Sequence, residues 1–108
     1  MEDPKRKLKR ELTEVHEKMY ALEMDELLLK LSEKFDQWKN KRLTGFELQD
    51  ELRKYQKREF KDLYFLYDVT TFADINAARC AQEGKLDLET VSPELKELIK
   101  SKVKYLEQ

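Results

Sequence analysis

The chain has few of the residues that punctuate a fold. Two glycines and two prolines occur in 108 residues. So few turn formers exclude a many-turned sheet protein and favour helices joined by short connections. They also leave no room for a glycine-rich phosphate cradle or a Gly-x-Ser-x-Gly elbow, and no zinc-ligand spacing occurs. Cys80 is the single cysteine, which excludes an intrachain disulfide and a cysteine zinc cluster. A reducing, cytoplasmic location is the default expectation for such a chain. The opening stretch MEDPKRKLKRE lacks the apolar core of a secretion signal. No run approaches the roughly 20 apolar residues of a membrane span, so no membrane partner is expected.

An excess of one charge is missing too. The 22 basic and 23 acidic residues leave a net charge of −1. That removes a bulk electrostatic drive toward nucleic acid or anionic membrane. Charge itself is abundant, at 42% of residues beside 40% hydrophobic ones. With clear periodicity, this describes a charged-surface helical domain rather than a disordered chain. A single helical domain over residues 1–108 is expected from the length.

The strongest pattern lies in the first forty residues. Leu8, Leu12, Val15, Met19 and Leu22 form one heptad ladder, and Met24, Leu28, Leu31, Phe35 and Trp38 form another. On one unbroken helix their mean directions differ by roughly 160–180°. Two readings follow. Either the chain turns at 23–26, separating a helix ending near Leu22 from one over 25–42, or one long helix is buried on opposite sides along its length. The second ladder, Trp38 included, reads as core.

Boundary signals mark the rest. Asp3-Pro4 reads as an N-cap followed by proline at the first helical position. Thr44 and Glu47 fit a capping box that opens a helix running to about Tyr67. Its apolar residues, from Leu48 to Tyr67, occupy an arc of about 140°, and Phe65 falls outside it. β-Branched residues at 69–71 disfavour further helix. Thr71 and Asp74 are candidate caps for a short alanine-rich helix that Gly84 stops. Ser92-Pro93 opens a last helix to about Leu106. The expected fold class is all-α, a bundle of four to five helices with short connections. Its N-terminal helix either folds back or protrudes.

Residues able to carry chemistry are scarce. His16 has no carboxylate three or four residues away, so the Glu-x-x-His metal pattern is absent, and it reads as a solvated or interface-edge histidine. Cys80 sits late in its helix, where the dipole opposes a thiolate, and reads as a small buried hydrophobe. No catalytic residue, metal ligand or cofactor is assigned. Lys5, Arg6, Lys7, Lys9 and Arg10 are candidate anion-binding residues. A second basic group, Arg53, Lys54, Lys57, Arg58 and Lys61, follows later. Both groups are interleaved with acids. Phe65 either packs on a later helix or is an exposed aromatic of the kind enriched at binding sites.

These readings converge on a non-catalytic helical protein–protein interaction module, self-associating through its N-terminal helix. The candidate interface is Leu8, Leu12, Val15, Met19, Leu22 and Phe65, and the partner is a second copy or another helical protein. The alternative is a nucleic-acid-associated regulator that uses the basic patch on helix 1.

Overall fold

Helix formers dominate every long segment of the chain, and in a computed structural model the described residues are all-α and 85% helical. The structure describes residues 3–68 and 70–107. Helix α1 spans Pro4–Lys39, α2 spans Gly45–Lys54 and α3 spans Phe60–Tyr67. A π turn over Tyr55–Glu59 joins α2 to α3 without a break. A 3₁₀ turn over Thr70–Phe72 leads into α4 (Ala73–Gln82), and another over Leu88–Thr90 precedes α5 (Pro93–Leu106).

Of the two readings, the turn at 23–26 does not occur and one long helix does, ending at Lys39 rather than near Arg42. Glu23, Met24, Asp25 and Glu26 each tolerate a helix interior at a cost of less than about 0.7 kcal/mol. No glycine or proline is present to release the backbone there, so local propensity carries the helix through.

Most boundary signals hold. The Lys5 N–H donates to Asp3 Oδ1 at 3.0 Å, ahead of Pro4. The Thr44 capping box is complete: the Glu47 N–H donates to Thr44 Oγ1 at 3.1 Å, and the Thr44 N–H donates to the Glu47 carboxylate at 3.0 Å. Gly84 adopts φ 76°, the left-handed conformation that ends α4. Ser92 caps α5 by accepting from the Leu95 N–H. One signal fails. Helix α4 is preceded by the 3₁₀ turn and by Phe72, with no side-chain cap from Thr71. Val69, part of the β-branched run, lies outside the described residues.

The backbone divides into two compact units. One combines α1 through Tyr20 with the chain from Tyr67 onward. Its buried apolar residues are Val15 and Met19 of α1, Tyr67, Ala73, Ala77, Ala78 and Cys80, then Leu86, Leu95 and Ile99, with His16 and Asn76 buried among them. The small side chains of α4 let α5 pack directly against it, so Leu95, Ile99 and Cys80 are fully enclosed.

The other unit comprises Ala21–Leu66. It holds the rest of α1, the 40–44 connection and the helical stretch from α2 to α3. Leu31, Leu48 and Leu63 are its buried apolar residues, and Glu23 is buried with them.

Candidate interaction surfaces

The first ladder is largely covered by its own chain. Val15 is 7% exposed and Met19 8%, while Leu8, Leu12 and Leu22 are half-buried. A groove beside Val15 and Met19 is walled by Leu86, Thr90 and Val91. A carboxylate clamp lies alongside it. The Ser92 N–H donates to Glu11 Oε2 at 2.9 Å, and the Ser92 hydroxyl donates to Glu11 Oε1. Ser92 therefore caps α5 and ties it to α1 at once. The cap was readable from Ser92-Pro93. Its partner 81 residues earlier was not, because no local spacing marks Glu11.

His16 corrects an expectation. It is buried, not solvated or at an edge. Its Nε2 lies 3.0 Å from the Tyr67 carbonyl oxygen, which only accepts, so Nε2 carries the proton. Tyr20 stacks on the Tyr67 ring at 4.9 Å and 3°. Arg79 Nη2 donates to the Tyr67 hydroxyl at 3.2 Å, and that hydroxyl lies 3.5 Å from Cys80 Sγ. These groups form a polar seam, buried at His16, Tyr67 and Cys80 and partly exposed at Tyr20 and Arg79. Within it the Cys80 thiol is wholly enclosed.

The second ladder is mostly open. Leu31 is buried, but Leu28 is 48% exposed, Trp38 44%, and Phe35 is exposed as well. The reading of Trp38 as core is therefore corrected. Its indole Nε1 lies 3.9 Å from where a Cβ on Gly45 would sit. Leu29, off the ladder, is also exposed. His16 and Glu23 of α1 are buried as well, and counting apolar residues alone misses both.

Phe65 resolves as an exposed aromatic, with Phe46, Tyr64 and Leu66 exposed beside it in sequence or fold unit. The Lys61 ammonium sits 5.8 Å from the Phe65 ring centre, and Tyr64 meets the ring edge-on. Burial pushes the Tyr55 phenol above its ordinary pKa, and the carboxylates of Glu59, Glu51 and Glu33 push the same way. In α5, the Lys96 ammonium is raised chiefly by its hydrogen bond to Glu89.

The two basic groups differ in layout. Lys5, Arg6, Lys7, Lys9 and Arg10 are all exposed but spread over roughly 200° of the α1 surface. Lys7 lines a cavity of about 290 Å³ that Glu11 and Glu94 also line, so the field there is mixed. Arg53, Lys54, Lys57 and Arg58 instead surround one open hollow of about 530 Å³, with Asp50 as its acidic neighbour.

Among the described residues no group of three or more His, Cys, Asp or Glu is placed to hold a metal ion. No described helix is long and apolar enough to cross a membrane. The chain matches no family model, no curated protein and no solved structure.

Proposed function

We propose that the chain is a non-catalytic helical interaction module that self-associates through α1, using the second half of that helix. The observation that carries this reading is the contrast along α1. Val15 and Met19 are covered within the fold, whereas in the second ladder Leu28, Phe35 and Trp38 stay exposed around the buried Leu31. A seam of this spacing is completed by another helix packed in coiled-coil fashion. A second copy supplies the same face about a twofold axis, giving a homodimer.

Magnitudes set the regime. The open parts of Leu28, Phe35 and Trp38 amount to about 250 Å² per chain, taking ~150–250 Å² for a large side chain. At ~25 cal/mol per Å², two copies gain about 12 kcal/mol. Association costs ~4–15 kcal/mol, so the expected dimer has a micromolar or weaker Kd. A cytoplasmic location accords with the lone, buried Cys80.

Sedimentation equilibrium from low-micromolar to submillimolar protein tests the proposal. The wild-type chain is expected to dimerise across that range, and Leu28→Ser with Phe35→Ser to remain monomeric. A wild-type chain that stays monomeric throughout, or a double variant that dimerises as well as wild type, overturns it.

A further inference from the structure

We propose that the outer face of residues 45–67 binds a single strand of nucleic acid, its cations following the phosphates and Phe65 stacking on a base. This is independent of self-association, which uses α1.

The argument starts from the direction of each side chain. Leu48 and Leu63 are buried and mark the inner side of the α2–α3 stretch. Arg53, Lys57 and Lys61 point about 140–160° away from that side, and Lys54 and Arg58 form a second row about 90° further round. All five are exposed. In an uninterrupted α-helix each step of four residues overshoots a full turn by about 40°, which would wind these cations around the surface. The π turn over Tyr55–Glu59 takes up most of that overshoot, because its hydrogen bonds span five residues. Two straight rows result, and the row from Arg53 to Lys61 runs about 12 Å along the axis in steps of about 6 Å. The π turn therefore has a consequence for the surface as well as for the backbone.

Between the rows lies the open hollow of about 530 Å³ bordered by Arg53, Lys54, Lys57 and Arg58. Four cations face one rim carboxylate, Asp50. Lys54 also pairs with Glu51 at 3.7 Å. An exposed pair of that kind is worth only ~0–1 kcal/mol, so a phosphate displaces it readily.

Phe65 follows Lys61 by one turn. It is 61% exposed, with the Lys61 ammonium over its ring. A row of cations that ends in an open aromatic ring matches what an unpaired strand offers, a charged backbone with free base faces. A duplex hides those faces, and an acidic protein has none. The run on α1 lacks this order, since its cations radiate around the helix. The chain's net charge of −1 supplies little long-range steering, so binding rests on these local contacts and falls as salt rises.

Fluorescence anisotropy of labelled oligo-dT and oligo-U tests the proposal on the full chain, with a duplex of equal length and polyglutamate as comparisons. Single strands are expected to bind with a log K against log salt slope of about −2 to −3.5, from three to five phosphates at ~0.7 each. Lys57→Glu with Arg58→Glu is expected to make the slope shallower by about 1.4. Phe65→Ser is expected to weaken single-strand binding about five- to a hundredfold while leaving duplex binding unchanged. Lys5→Glu with Arg6→Glu is expected to leave single-strand binding as it is. All of these positions are exposed, and circular dichroism confirms that each variant is folded. No binding at low salt, equal affinity for duplex, full competition by polyglutamate, or an unchanged slope in the 57/58 variant overturns the proposal.

Discussion

The two compact units differ in the size of their apolar residues and reach different degrees of closure. Around α4 and α5, small side chains do the work. Ala73, Ala77 and Ala78 admit α5 so closely that Leu95 and Ile99 lose all contact with solvent. In Ala21–Leu66 the apolar residues are larger, yet more of them stay open, including Leu28, Trp38, Phe46 and Phe65. Two helical segments bury only the seam between them, and the remaining faces meet water or a partner. Closure therefore depends on how many elements converge and how near they come, rather than on how apolar each one is.

Three substitutions break or sharpen this contrast. The largest effect is expected from Leu95→Ala, which empties a fully enclosed site and costs about 2–5 kcal/mol. Denaturant unfolding followed by circular dichroism measures it, and a loss below about 1 kcal/mol would show that the α4–α5 core is looser than its burial implies. Next is His16→Leu. It removes the Nε2–H donor to the Tyr67 carbonyl in a buried setting and is expected to cost about 1–3 kcal/mol. Hydrogen exchange at residues 67–80 reads the same loss locally, and unchanged protection there would show that the contact does not hold α1 in place. The smallest is Thr44→Ala, which acts only on the open unit. Loss of the capping box is expected to cost about 1 kcal/mol and to increase exchange at the start of α2. An equal increase in α5 would show that the two units unfold together.

Most of the local boundary signals were legible, the Thr71 cap of α4 excepted. The Thr44–Glu47 box, the Ser92-Pro93 start and the Gly84 stop each involve a few adjacent residues whose backbone needs can be read directly. The reading of Cys80 as a buried small side chain rested on its place late in an alanine-rich helix, and it stands. Other features escaped because they are settled at a distance. Glu11 looks like any acid on a helix surface until Ser92 is placed beside it. His16 looked like an edge residue because its partner is a backbone carbonyl, and no sequence spacing advertises one. The π turn carries no residue signature, yet it decides that Arg53, Lys57 and Lys61 share a direction.

The paired ladders divide the same way. Their existence, and the all-α class they imply, follow from side-chain periodicity alone, because a helix repeats every 3.6 residues whatever surrounds it. The continuity of α1 through 23–26 follows from propensity, since nothing there breaks a helix. Which ladder is covered follows from neither. Packing by the chain beyond Tyr67 closes over Val15 and Met19, whereas Leu28, Phe35 and Trp38 keep 36–48% of their surface exposed. Burial is a property of what arrives from elsewhere in the fold, and only the tertiary structure decides it.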